Sequence, residues 1–365
     1  MPLADELLNA QAAKALVRCL KAAAPGTAFS EVAEAAKRLT GLGLRERTDL
    51  LKDALLADAP GGYRELAAVV RRALADPAFA GWLIWPVSEA VSVRALESRE
   101  VADALHLQAE LTPRLTAEFG IRTLLDADLD GALPIVLGWT GHADEHVRRL
   151  ASEGTRPLLP WAKRVPAILA RPEATVPILD ALHRDESEYV RRSVANHLND
   201  LSRGHPGLAV EVAARWLATD PGVTTTRVVR HALRTLVKKG DPDALALLGF
   251  APPKGITAAG PTLSADVVPV GGELRFSCTL TNDGPEAARL VVDYVVHHRK
   301  ANGSTTPKVF KLTTRTLEPG AELMLERVHS FRLITTRTYH PGAHALEIQV
   351  NGTSFGKAEF DLVDS

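Results

Sequence analysis

Three hexapeptides decide the fold: Asp144–Arg149 (DEHVRR), Ser187–Arg192 (SEYVRR) and Thr225–Arg230 (TTRVVR), spaced 43 and then 38 residues apart. Self-similarity at such a period is the signature of stacked helix pairs of the HEAT or armadillo kind. One helix pair cannot cover its own apolar face, so successive pairs stack into a curved solenoid with an extended concave surface. Outward from the motifs, from about residue 7 to 250, Ala, Leu, Val and Arg recur at helical spacing, interrupted every few turns by Asp, Gly or Pro. The segment 262–364 differs: β-branched runs such as Leu274–Leu280, Leu290–His297, Leu323–Phe331 and Ala345–Val350 are bounded by Asn-Gly and Pro-Gly turns. About seven short strands of this kind fit a β-sandwich. Pro252, Pro253, Gly255, Gly260 and Pro261 compose a linker between the two. The expected architecture is therefore multidomain, α then β: a helical-repeat solenoid over 1–255 and a sandwich over 262–365.

The chain has 365 residues, 46% hydrophobic and 24% charged, with a formal net charge of −1. That balance excludes disorder and whole-chain polycation behaviour, but nucleic-acid binding depends on a local basic stripe rather than on the total. Cys19 and Cys278 fall in different expected domains, which indicates neither a disulfide framework nor a cysteine metal site and favours a reducing compartment. No basic segment precedes an apolar one at Met1–Glu6, and no run approaches the roughly 18 apolar residues of a membrane helix, so a cytoplasmic protein is expected.

In the helix starting near Ser187, Val190, Val194, Leu198 and Leu201 form an apolar stripe that should face the core. Arg192, Asn196, Asp200 and Arg203 form a second stripe, and Arg149, Glu153 and Arg156 form a matching series 43 residues earlier. Arginines grouped around a carboxylate suit a phosphate backbone with one anion kept near something cationic, and equally suit a solvated face laced with ion pairs. Pro157, Pro160 and Pro166 should break the helix and fix Trp161 near its end, either in the core or facing a cationic or flat ligand.

His142, Glu145 and His146 spell a zinc-protease pattern, but Asp144 reads as a helix N-cap that leaves His142 in the preceding turn, so no metal is expected. Gly352–Lys357 (GTSFGK) is too short for a phosphate loop and lacks the Ser or Thr after Lys; a hairpin turn explains it better. Asn302 and Asn351 match the glycosylation pattern, yet their Asn-Gly pairs are turn formers. In the sandwich, His297–Gly303, with Arg299 and Lys300, and Arg332–His340, with Arg332, Arg337 and Tyr339, would form a basic patch if both loops lay at the same end.

Thr116–Thr123 (TAEFGIRT), Ser152–Trp161 (SEGTRPLLPW) and Asn196–Arg203 (NHLNDLSR), in this order and followed by a sandwich, resemble the HEAT-like-repeat DNA alkylation-repair glycosylases, specifically their AlkC branch. The resemblance covers the helical domain and implies that the sandwich is immunoglobulin-like. It implies hydrolysis of the N-glycosidic bond of cationic methylated bases, 3-methyladenine and 3-methylcytosine, in duplex DNA, without flipping the base into a deep pocket and without a cofactor. Matched block by block, it places Glu118, Glu153, Asp200 and Trp161 in the active-site cleft, with Glu153 the first choice beside the sugar. The stripes add Arg149, Arg156, Arg192, Asn196 and Arg203 as expected DNA contacts, and the sandwich loops, expected to clamp the duplex, add Arg299, Lys300, Arg332 and Arg337. A monomer is the default for this architecture. The competing expectation is a non-catalytic repeat scaffold binding a protein or DNA partner.

Overall fold

The computed structural model describes residues 2–59, 61–334 and 337–364. Two compact units are present, Met1–Ala232 and Leu233–Ser365.

In the first unit the first two motifs each open a helix and the third lies within Val223–Ala232. Asp144 caps Glu145–Gly154 by accepting from the His146 amide at 2.7 Å, and Ser187 precedes Glu188–Leu201. The two arginines of a motif divide their work. Arg148 turns back to its own helix entrance, donating to the His142 and Ala143 carbonyls at 2.9 Å, and Arg191 does the same at Asp185 and Glu186. In the third motif Val229 replaces that arginine and is fully buried. The Val190, Val194, Leu198 and Leu201 stripe is buried as its periodicity requires, each side chain contributing about 1.5–3 kcal/mol of transfer free energy. The helix packs against Glu145–Gly154 on one side and Val223–Ala232 on the other, as stacked repeats do.

Two glycines set how closely the site-bearing segments approach. A Cβ on Gly120 would lie 2.6 Å from the Ser88 carbonyl oxygen, and one on Gly154 would lie 2.8 Å from Ile121 Cγ2. Both stand inside the blocks that carry the family resemblance, EFGIR and SEGTR.

The second unit begins before the strands do. Two short helices, Arg234–Lys239 and Pro242–Leu247, belong to it, and the following segment is tied down by Arg289 donating to the Leu248 carbonyl and Asn351 donating to that of Ala251. The boundary in space therefore lies near residue 232, while the change from helix to strand falls at Ile256, inside the Pro/Gly-rich stretch. Eight strands follow among the described residues: β1 Ile256–Leu263, β2 Val267–Pro269, β3 Glu273–Asn282, β4 Ala288–Arg299, β5 Thr305–Leu317, β6 Glu322–Ser330, β7 Gly342–Val350 and β8 Thr353–Val363. They form sheets of order β1-β3-β6 and β2-β8-β7-β4-β5. Leu274, Phe276, Cys278 and Leu280 of β3 meet Leu290, Val292, Tyr294 and Val296 of β4 and Leu346, Ile348 and Val350 of β7 in one core. Edge strand β5 is largely exposed, so its sequence carries no apolar alternation. Asn351 and Gly352, both at positive φ, make the β7–β8 turn within GTSFGK.

Candidate active site

Glu118, Glu153 and Asp200 come from three separate segments, and the structure brings them into one line with two arginines between them. Arg149 Nη1 binds Glu118 Oε2, and its Nη2 lies 3.4 Å from Glu153 Oε1. Arg156 Nη1 lies 2.7 Å from the same Glu153 oxygen, while its Nε lies 2.9 Å from Asp200 Oδ2. Carboxylate and guanidinium alternate: Glu118, Arg149, Glu153, Arg156, Asp200. Their side chains are only 5–15% exposed. Burial opposes the charge on both guanidiniums, yet Glu118 and Glu153 around Arg149, and Asp200 and Glu153 around Arg156, raise both above the ordinary arginine value. Buried Arg122 lies near enough to interact with the charges of both Asp200 and Arg156, so three carboxylates and three guanidiniums share this part of the unit.

This corrects the surface role expected for Arg149 and Arg156. Intrahelical spacing put each three or four residues from Glu153, and the ion pairs close inward rather than toward solvent. Arg192 is 65% exposed and pairs with the exposed Glu188 at 3.2 Å. Asn196 Oδ1 lies 3.0 Å from His231 Nε2. The helix stops at Leu201, so Arg203 stands in the turn beyond it rather than on the stripe.

Trp161 is not a core residue. It sits in the loop between Glu145–Gly154 and Pro166–Ala170, at φ 63°, with its ring 60% exposed. Its one described ring neighbour is Trp82 at 6.5 Å, which continues to Trp85 at 6.0 Å and to Phe119, stacked on Trp85 at 4.0 Å. A hollow of about 320 Å³ opens beside it, lined by Phe119, Glu89, Arg45, Lys52 and Lys163. Fully buried Arg122 holds both ends of the loop, donating to the Gly154 and Arg156 carbonyls at 2.9 and 2.8 Å and to that of Lys163 at 2.6 Å.

Arg122, Ser193, Tyr189 and Trp82 also belong to this arrangement and are not among the residues expected from the sequence, although Arg122 stands inside the EFGIRT block. Ser193 Oγ lies 2.6 Å from Glu153 Oε2, and the Tyr189 ring lies 5.0 Å under the Arg149 guanidinium. Tyr189, within SEYVRR, is three residues before Arg192 on the same helical face, a signal the stripe contained. Nothing in the sequence joins Trp82 to Trp161.

The zinc-like residues diverge. His142 Nδ1 accepts from the Asp144 amide, Glu145 accepts from Ser187 Oγ, and His146 meets the Tyr189 ring edge. Among the described residues no group of three or more His, Cys, Asp or Glu is arranged to hold a metal ion.

In the second unit the two loops do lie at one end. β4 ends at Arg299 where β7 begins, and the Arg299 side chain crosses Gly342. His298 is 5.9 Å from Tyr339, and Arg337 forms an isolated antiparallel bridge with Ile334; Thr335 and Thr336, within the expected Arg332–His340 patch, lie outside the described residues. Lys300 and Arg332 are exposed there. Beneath them, burial together with nearby cations including Arg337 pushes His298 down to about 3 and His329 to about 4.

Residues 257–364 match the family model described as the C-terminal Ig-like domain of uncharacterised protein YhaZ. YhaZ of Bacillus subtilis is 38% identical over 271 residues, 74% of this chain and 71% of that protein. The structure of Pseudomonas fluorescens alkylpurine DNA glycosylase AlkC, bound to DNA containing an abasic site analogue, superposes with a TM-score of 0.88 at 32% identity, covering 97% of this chain and 98% of that one. Solenoid repeats, immunoglobulin-like sandwich and sequence agree over nearly the whole length, and the chain belongs to the AlkC branch of the HEAT-like-repeat DNA alkylation-repair glycosylases.

Proposed function

We propose that the protein is a DNA glycosylase of alkylation repair that releases cationic methylated bases, 3-methyladenine and 3-methylcytosine, from duplex DNA without flipping them into a deep pocket. The observation that carries this reading is the buried line Glu118–Arg149–Glu153–Arg156–Asp200, which fixes three carboxylates in place. The DNA and glycosylase named for the AlkC relative support it.

A base methylated at N3 already bears positive charge, so the C1′–N bond breaks with its electron pair going to a base that leaves neutral, and no general acid is required. What must be stabilised is the cation developing on the deoxyribose. A fixed carboxylate in a poorly hydrated site does this without reorganising. Glu153, at the centre of the line, is assigned that role. Water adds to C1′ and its proton passes to a carboxylate of the line. The exposed Trp161 ring packs on the lesion or its sugar through cation–π or CH–π contact.

Arg192, Asn196 and Arg203 in the first unit, and Arg299, Lys300, Arg332 and Arg337 in the second, supply the DNA contacts. The protein acts as a cytoplasmic monomer in this reading; no helix among the described residues is long and apolar enough to cross a membrane. Glu153→Gln tests the assignment: DNA affinity should stay and base release should fall by orders of magnitude. Equal rates would remove Glu153 from the mechanism. Lys300→Glu with Arg332→Glu should weaken duplex binding and flatten its salt dependence; unchanged binding would exclude that loop end.

A further inference from the structure

The hydrogen bonds around Glu153 have a direction that identifies a further residue of the site. Ser193 Oγ lies 2.6 Å from Glu153 Oε2 and 3.0 Å from Ser152 Oγ. An ionised carboxylate only accepts, so the single Ser193 proton goes to Glu153, and Ser193 must then accept from Ser152. The chain therefore runs Ser152 O–H to Ser193 O–H to Glu153. All three side chains are buried. Its far end is fixed too. The Ser152 carbonyl accepts from His197 Nδ1 at 2.9 Å, which leaves His197 Nε2 to accept from Thr175 Oγ1 at 3.0 Å.

A carboxylate has about four lone-pair directions. The two on Oε1 face Arg156 and Arg149. On Oε2 one is occupied by Ser193, leaving one direction open. We propose that Ser193, oriented by Ser152, is a positioning residue for Glu153: it selects which Oε2 lone pair faces the reacting sugar and water. The proposal rests on the glycosylase reading and goes beyond it, because the two serines touch no substrate in this account.

The test is single-turnover release of methylated base by the full chain carrying Ser193→Ala, Ser193→Thr, Ser152→Ala or the double alanine change, alongside wild type. Ser193→Ala should slow release roughly ten- to a hundredfold, the effect of one hydrogen bond to a charged group, with duplex affinity unchanged. The loss should fall on the release rate at saturating enzyme and leave the half-saturating concentration unchanged. Ser193→Thr, which keeps the hydroxyl, should restore the rate. Ser152→Ala should cost less, and adding it to Ser193→Ala should cost nothing more, since Ser152 acts only through Ser193. Release by Ser193→Ala within twofold of wild type would overturn the proposal. So would a slow Ser193→Ala variant that Ser193→Thr fails to rescue, since the hydroxyl would then not be what positions Glu153. Failure of wild type itself to release base would instead sink the glycosylase reading beneath it.

Discussion

Arg156 Nη1 lies 2.7 Å from Glu153 Oε1, in a pair from which water is almost wholly excluded. The same side chain reaches Asp200 through Nε, so one guanidinium keeps two buried carboxylates apart. Removing it takes the paired guanidinium from Asp200 and leaves Glu153 with Arg149 at 3.4 Å, which is far costlier than losing an exposed pair. Arg156→Met should destabilise the helical unit by about 3–5 kcal/mol in urea unfolding. If Arg156 contacted phosphate instead, the variant would unfold like wild type and lose about one unit of slope in the salt dependence of DNA binding.

Trp161 combines 60% exposure with a left-handed backbone that costs a bulky residue on the order of 1–2 kcal/mol. A large aromatic kept there serves something other than stability. Trp161→Gly should leave the melting temperature unchanged or raised while base release falls. A clear drop in melting temperature would show that packing on Trp82 outweighs the strain.

Asp293 is buried on β4 between Val292 and Tyr294, and desolvation pushes it up to about 6 against the pull of Lys311 and Lys238. Between its ordinary value of 3.8 and about 6, the folded state holds a proton that the unfolded chain has released, so this group makes stability fall as pH rises through that window. Asp293→Asn should therefore stabilise the protein above pH 6 by on the order of 1–3 kcal/mol and change little below pH 4. Unfolding curves at both pH values check this, and an equal effect at both would contradict it.

Three buried histidines act in the opposite sense. Burial lowers His197 and His298 to about 3 and His329 to about 4. Below the ordinary histidine value of 6.5 the unfolded chain takes up protons that the folded chain refuses, so stability drops from 6.5 down toward 4. Among the described residues His298 finds no hydrogen-bond partner at either ring nitrogen. His298→Phe should keep stability at pH 7 and make the acid loss shallower, measured as melting temperature against pH; an unchanged acid slope would contradict this.

Much of this was legible beforehand because it depends on periodicity. The buried stripe through Val190, Val194, Leu198 and Leu201 and the alternation of β3 each follow from local pattern alone. The three carboxylates were legible as residues through the family blocks, since Glu118, Glu153 and Asp200 stand in three separate motifs. What they bind was not. Helical spacing puts Arg149 and Arg156 beside Glu153, but whether a guanidinium turns outward to phosphate or inward to Asp200 depends on how the next helix packs. Ser193, Tyr189 and Trp82 needed tertiary contacts. The spatial boundary near residue 232 differs from the composition break because Arg289 and Asn351 hold the segment after Leu248 onto the sandwich unit.

The most direct test of the central claim is release of free bases from methylated duplex DNA under single-turnover conditions, with chelator present. The account predicts that 3-methyladenine and 3-methylcytosine appear as free bases at a rate indifferent to the chelator, and that Glu153→Gln abolishes their release while still binding the duplex. Tight, salt-sensitive binding without release would leave a non-catalytic DNA-binding protein. Absence of both binding and release would contradict the account and return the solenoid to a scaffold for a protein partner.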